Sequence, residues 1–364
     1  MDKRPPMKGR GTGENPENRF QRLHVLYEPP QVNVLEGEDV ADVFPSPKTQ
    51  FFYDASKSVL SENDSPDLSF RYSVNAYRGC EHGCPYCYAR PSHEYLGFSA
   101  GLDFESKIMV KRDAPALLRK ALSAPKWQPS PITFSGNTDC YQPVERRLRL
   151  TRQCLEVCAE FLQPIGIITK NALVRRDIDV LQKLASVQAA QVHITLTTLN
   201  ADLASKLEPR ASAPELRLKA IEAMKAAGIP VGIVMAPIIP GLNDEEIPRV
   251  LEAAAQAGAG AAGWTLLRLA SPLDVLFTSW LEQHLPDRAR KVLARIRDCR
   301  DGKLNDSTFG DRMRGTGVYA EQIRALFHAA SKKHGLDKGL GPLSAAAFIK
   351  APPPTRPSAQ LSLF

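Results

Sequence analysis

From residue 72 onward the sequence switches six times between two periodicities, and this alternation constrains the fold more than any other feature. Short runs rich in β-branched residues read as strands: YSVNAY (72–77), ITFS (132–135), IGIIT (165–169), VHITLTT (192–198), PVGIVMA (230–236) and WTLLRL (264–269). Between them the apolar residues recur at helical spacing. Leu148, Leu155, Cys158, Phe161 and Leu162 share a face over 145–162, and Ile178, Leu181, Leu184 and Ala185 do so over 177–187. The stretch 213–228 gathers Leu216, Ala220, Ile221 and Met224 and ends on Gly228, a residue suited to the C′ position. The next begins with Asp244 as N-cap and ends on Gly258. Strand–helix units repeated in one direction form a parallel sheet with right-handed crossovers. The expected fold is α/β, an open, incomplete TIM-like partial (β/α)6 barrel in preference to a flat doubly wound sheet.

The segments that leave the strands favour the barrel and locate a site. RGCEHGCPYC follows the first strand, GNTD the second, TKN the third, TLN the fourth, PIIPGLND the fifth and ASP the sixth. In barrels of this kind ligands lie at the C-terminal rim of the strands, so these six loops should converge there.

The flanks read differently. Residues 1–70 form an extended N-terminal arm, with about the first 22 residues disordered or loosely docked because Gly, Pro, Asn and charge dominate them. The barrel spans 71–285. A helical extension covers 286–345, and amphipathic patterns over 276–302 and 319–335 predict two helices packed on the barrel. Residues 346–364 are a proline-rich tail ending in QLSLF. With 43% hydrophobic and 24% charged residues the middle of the chain is globular, and a net charge of +7 is compatible with a polyanionic partner without requiring one. No apolar run approaches the roughly 20 residues of a membrane span, and the first residues lack the apolar segment of a secretory signal. The expectation is a cytoplasmic protein with no membrane partner.

Seven cysteines, an odd number, with Cys80, Cys84 and Cys87 packed into eight positions, do not form a disulfide framework. Three soft ligands this close point to zinc or to an iron–sulfur cluster. Zinc would need a fourth ligand, which His82 or His93 could supply; three thiolates without a partner suit a cubane with one iron left open.

At this point the sequence resembles the radical S-adenosylmethionine (SAM) superfamily: C-x3-C-x-aromatic-C, with Tyr86 before the last cysteine, directly after a first strand in a six-fold βα pattern. The resemblance implies a [4Fe–4S] cluster on Cys80, Cys84 and Cys87, and S-adenosylmethionine chelated by the open iron. It also implies a one-electron reductant such as flavodoxin or ferredoxin, and a 5′-deoxyadenosyl radical that takes hydrogen from a substrate above the barrel. Ser135, Gly136 and Asn137 stand where the superfamily has a Gly-Gly-Glu type loop for the methionine ammonium, without the glutamate. Tyr86 flanks the cluster, while Thr169, Lys170, Thr197, Thr198, Met235, Pro237 and Ile238 would line the cofactor. Glu208 and Arg210 could pair beside it, or simply be solvated.

Over about residues 71–345, the phrases YRGCEHGCPYCYAR, GNTDCYQPVE and PIIPGLND resemble a bacterial branch close to spore photoproduct lyase, whose substrate is a thymine dimer in DNA. By that resemblance Cys140 is the candidate catalytic residue, returning a hydrogen atom to the product radical. Cys154 and Cys158 are read as core packing and Cys299 as structural. The ending Gln360-Leu361-Ser362-Leu363-Phe364 resembles the motif that docks repair and replication proteins on the sliding DNA clamp, its Leu and Phe filling apolar pockets. The alternatives are radical modification of a peptide or tRNA, or a non-catalytic iron–sulfur or zinc module tethered to the clamp.

Overall fold

The computed structural model describes residues 7–20 and 48–350. Ten strands occur among them: β1 (Gln50–Tyr53), β2 (Leu60–Glu62), β3 (Tyr72–Val74), β4 (Tyr77–Arg78), β5 (Lys107–Val110), β6 (Ile132–Phe134), β7 (Ile165–Thr169), β8 (Ala190–Thr195), β9 (Val231–Ile238) and β10 (Ala262–Leu266). The larger sheet runs β10-β9-β8-β7-β6-β3-β2. Neighbours from β3 to β10 pair parallel, and β2 adds an antiparallel strand at one edge. The result is a mixed α/β fold around a parallel-strand sheet.

The first crossover departs from a simple strand–helix unit. YSVNAY, expected as one strand, is split at Asn75: β3 stays in the large sheet, while β4 joins a second, three-stranded sheet of order β1-β5-β4. The Asn75 side chain explains the break. Its Oδ1 accepts the backbone N–H groups of Asn137 and Thr138 at 3.1 and 3.2 Å, a bond to the loop after β6 that a continuing strand would not permit.

The other crossovers follow the helical pattern with local adjustments. The 145–162 helix is interrupted at Arg149, which takes a φ of 53° between Glu145–Leu148 and Leu150–Phe161. Pro214–Ala226 ends before Gly228, whose φ of 71° bears out its C′ role. Asp244 does not cap the helix Ile247–Gln256; its carboxylate instead accepts Gly241 N–H at 2.9 Å and the Tyr319 hydroxyl, and Pro248 begins the helix. Inward residues of the sheet, such as Ile132, Ile165, Ile194 and Ile233, are buried against Leu118, Leu155, Leu181, Ile221 and Leu251 from the helices. Each such side chain contributes about 1.5–3 kcal/mol by leaving water, and together they fix the sheet that presents its strand ends to the site.

After β10 come three longer helices, Leu273–His284, Pro286–Asp298 and Gly317–Lys333, where two were expected, because Pro286 starts a new helix. Phe327 of the last packs its ring 5.7 Å from that of Trp264 in β10. Among the described residues no helix is long and apolar enough to cross a membrane.

Residues 7–20, whose composition suggested disorder or loose docking, are fastened to the main domain. Arg10, Gly11, Thr12 and Asn18 are buried, and their partners lie near residues 94–105. Composition could not show this, since the contacts join the segment's backbone and side chains to the Glu105 carboxylate and to the Glu94, Phe98 and Glu105 carbonyls 76–95 positions away. The QLSLF ending lies outside the described residues.

Candidate active site

A cavity of about 460 Å³ opens at the C-terminal ends of the parallel strands, and Cys80, Cys84 and Cys87 line it together. The loop that carries them is shaped by Arg90, a fully buried arginine. Its guanidinium donates to the carbonyls of Cys84 (2.8 Å), Gly83 (3.1 Å), Ala100 (3.2 Å) and Gly101 (2.7 Å) and pairs with Glu105 at 2.8 Å. Glu105, also buried, accepts Gly11 N–H (2.9 Å) and the N–H and hydroxyl of Thr12 (both 3.1 Å). The N-terminal segment thus closes over the back of the cysteine loop. Burial pushes the Cys84 thiol up to about 12, with Glu208 adding to the shift, so the thiolates a cluster requires depend on its own positive charge.

The thiols fit a cubane better than a single ion. No group of three or more His, Cys, Asp and Glu suited to one metal ion occurs among the described residues. The two histidines considered for a zinc site are otherwise placed. His93 is packed between the rings of Phe98 and Phe104 at 5.3 and 5.5 Å, outside the cavity lining, and burial lowers it to about 4. His82 does line the cavity, but its Nδ1 lies 3.4 Å from Asp139 and its Nε2 3.3 Å from Asn171 Nδ2. Three thiols lining one cavity suit a cluster with a cysteine on each of three irons.

Two carboxylates, the buried Glu208 and the largely buried Asp139, organise the rim. Asp139 accepts Tyr141 N–H (2.9 Å), the Thr169 hydroxyl (2.7 Å) and Lys170 N–H (2.8 Å), which ties the loop after β6 to the end of β7. Burial alone would raise it, but His82 and these hydrogen bonds hold it down to about 2. Glu208 pairs with Arg217, accepts the Tyr86 hydroxyl and accepts the Thr197 hydroxyl at 2.7 Å. Against the upward push of burial, Arg217, Lys170 and the two hydroxyls hold it to about 2. The Glu208–Arg210 pairing considered from sequence does not form: Arg210 bonds Glu81 at 2.9 Å.

Seven of the residues proposed around the cofactor line the cavity: Tyr86, Ser135, Gly136, Asn137, Thr169, Lys170 and Pro237. Gly136 is required at its position, because a β-carbon there would lie 2.8 Å from Cβ of Ser73. Its carbonyl accepts the Tyr88 hydroxyl at 2.8 Å. Four residues do not reach the cavity. Met235 and Ile238 of β9 are buried in the core, and Val234, Ala236 and Pro237 line the cavity. Thr197 is turned onto Glu208, and Thr198 donates to Glu246 at 2.6 Å. Cys140 is also absent from the lining: it is 2% exposed in the core, its N–H bonded to Ser135 Oγ at 2.8 Å and its carbonyl to Thr151 Oγ1 at 2.6 Å. Cys154, Cys158 and Cys299 are buried in the same core, as expected.

The sequence pattern of the Radical SAM superfamily matches residues 74–254, which hold the cysteine loop and the rim through β9. The chain belongs to the radical SAM superfamily. This radical SAM protein is 36% identical to an uncharacterized protein of Mycobacterium tuberculosis over 234 residues, 64% of this chain and 69% of that one. It is 31% identical to an uncharacterized protein of Methanocaldococcus jannaschii over 176 residues, 48% and 63% of the two chains. Among solved structures it resembles spore photoproduct lyase complexed with dinucleoside spore photoproduct, with a TM-score of 0.55, 15% identity, and coverage of 78% of this chain and 79% of that one. A double mutant of the lyase with bound AdoMet and the same dinucleoside gives a TM-score of 0.51, 16% identity and 78% coverage of each chain. At such identity the likeness is one of fold. The cofactors of this radical SAM protein are a [4Fe–4S] cluster and S-adenosylmethionine, and Cys80, Cys84 and Cys87 are the residues that would hold the cluster.

Proposed function

We propose that the protein is a radical SAM enzyme that acts on nucleic acid, in a lyase-like reaction related to the repair of a DNA lesion. The observation that carries the enzymatic reading is the convergence of three thiols and the ends of the parallel strands on one cavity. With the cluster and S-adenosylmethionine bound, the chemistry supplied is one-electron cleavage of the sulfonium, giving methionine and a 5′-deoxyadenosyl radical that abstracts hydrogen from the substrate. The protein's own residues bind and orient. Cys80, Cys84 and Cys87 hold the cluster, with Arg90 and Glu105 fixing the loop from behind. The loop Ser135–Asn137, Thr169, Lys170 and Pro237 bound the space for the cofactor, kept in place by Asp139 and Glu208. Tyr86, buried beside the thiols, is fixed by its hydroxyl on Glu208, and Tyr88 holds the Gly136 carbonyl. No step is assigned to Cys140, whose thiol lies in the core.

Nucleic acid as substrate is supported by the shared fold with a lyase whose structures hold a dinucleoside and by arginines at the cavity mouth. It is supported further by the resemblance of Gln360–Phe364 to a sliding-clamp motif. On this reading the tail brings the enzyme to DNA through the clamp, while a flavodoxin or ferredoxin supplies the electron. The test is crosslinking in cells followed by identification of the bound polymer. Recovered DNA upholds the reading; recovered tRNA or polypeptide in its place overturns it.

A further inference from the structure

The outer part of the cavity is built by segments outside the six parallel strands. Leu68 and Phe70 come from the stretch before β3, and Arg312 and Met313 from a short helix, Asp311–Arg314, before the last one. The two segments are fastened together. Asp67 forms an ion pair with Arg312 and accepts Gly310 N–H at 2.7 Å, and Arg312 Nη2 donates to Ser65 Oγ at 2.5 Å. The charge of Arg312 is therefore already engaged.

Arg268, two residues beyond β10, lines the same cavity and is half-buried. Its guanidinium makes no hydrogen bond or ion pair with any described residue. Arg300 nearby is fully buried and donates to the carbonyls of Leu267 (2.9 and 2.6 Å) and Arg312 (3.1 Å), although its Nη1 has no partner among the described residues. A half-buried guanidinium that lines the cavity without an acceptor keeps its donors available to an anion entering there. Burial, together with Arg312, lowers the Arg268 pKa against smaller opposing contributions from Tyr88 and Asp67. Asp67, the carboxylate that could have served, is held by Arg312.

We infer that Arg268 is the anion-recognising residue of a substrate subsite, taking a phosphodiester oxygen of a nucleic-acid strand whose neighbouring base lies against Phe70 and Leu68. The inference rests on the nucleic-acid reading above. A planar fork that bonds two oxygens suits a phosphate, and an aromatic ring beside it offers the stacking surface on which single strands are held. An oxyanion at this place has a second source, the carboxylate of S-adenosylmethionine. The surroundings favour the substrate, because Arg268 has Arg312, Asp67 and Tyr88 as its charged or titratable neighbours, whereas Lys170 is the cation beside both Cys84 and Cys87.

The test uses the reconstituted holoenzyme and a labelled, short, single-stranded thymidine oligonucleotide. A matching oligonucleotide carries neutral methylphosphonate linkages. The expected result is that the parent protein binds the charged strand more tightly than the neutral one. Arg268→Gln should weaken the charged strand by at least about tenfold and abolish the discrimination, with iron content and S-adenosylmethionine affinity unchanged. Arg268→Lys, which keeps the charge and loses the fork, should fall between them, and serves alone if the Gln variant does not fold. Equal binding of the charged strand by parent and variants overturns the inference. So does a variant that loses affinity for S-adenosylmethionine instead, since the arginine would then serve the cofactor. If the parent binds neither strand while still forming 5′-deoxyadenosine, the nucleic-acid reading fails and the inference with it, leaving the radical SAM assignment intact.

Discussion

Gly11 lies so close to the carbonyl oxygen of Gly83 that a β-carbon at position 11 would sit 1.4 Å from it. The obstacle is backbone, which cannot swing aside as a side chain would. Gly11→Ala must displace either the N-terminal segment or the turn between Cys80 and Cys84, at a cost of about 1–3 kcal/mol typical of overpacking. The expected outcome is a folded protein with a lower melting temperature that retains less iron and sulfide after exposure to a chelator. Cluster retention equal to the parent's would show that the segment does not support the loop.

This contact also marks what the sequence could and could not disclose. The six strands were legible because β-branched runs and helical faces are local patterns, and the cysteine loop because three thiols in eight positions have few uses. Arg90, Glu105 and Gly11 were not legible. Their bonds join residues 15 and 94 positions apart, and neither composition nor periodicity carries that information. Met235 and Val234 show a second limit: the strand was found, but which of its alternating residues faced the cavity depends on register, which is set by the sheet. Glu208 shows a third, since its partner is Arg217 on the following helix and not Arg210 two residues away.

Acid should remove the stability that the rim carboxylates contribute. Glu208 and Asp139 are both held at about 2, below the ordinary carboxylate values of roughly 4. A carboxyl depressed in the folded state contributes stability that is complete above its ordinary pKa and is lost as pH falls through the folded value. For Glu208 a depression of about two units corresponds to about 3 kcal/mol. Urea unfolding from pH 6 to pH 2.5 should show stability falling below about pH 5, and Glu208→Gln should flatten that fall while lowering stability at neutral pH, because Arg217 is left buried without its counter-charge. An unchanged pH profile in the variant would contradict the pairing.

The burial of Cys140 predicts the behaviour of Cys140→Ala. Removing a core thiol costs on the order of 1 kcal/mol, and formation of 5′-deoxyadenosine should stay within about twofold of the parent. Loss of substrate conversion with cofactor cleavage intact would put the thiol into the chemistry, as its resemblance-based role requires. Quantifying both products in a single turnover separates the two.

Deleting residues 360–364 should leave iron content, melting temperature and 5′-deoxyadenosine formation unchanged while abolishing capture on immobilised sliding clamp. Clamp affinity that survives the deletion would remove the tail from the account.

The central claim is that Cys80, Cys84 and Cys87 hold a radical SAM cluster in a working site. It is tested most directly by incubating the anaerobically reconstituted protein with S-adenosylmethionine and dithionite and measuring 5′-deoxyadenosine alongside bound metal. The account predicts iron and sulfide in equal amounts and 5′-deoxyadenosine from the parent, with both lost on Cys84→Ala. Stoichiometric zinc without sulfide, or an iron–sulfur protein that forms no 5′-deoxyadenosine, would contradict it.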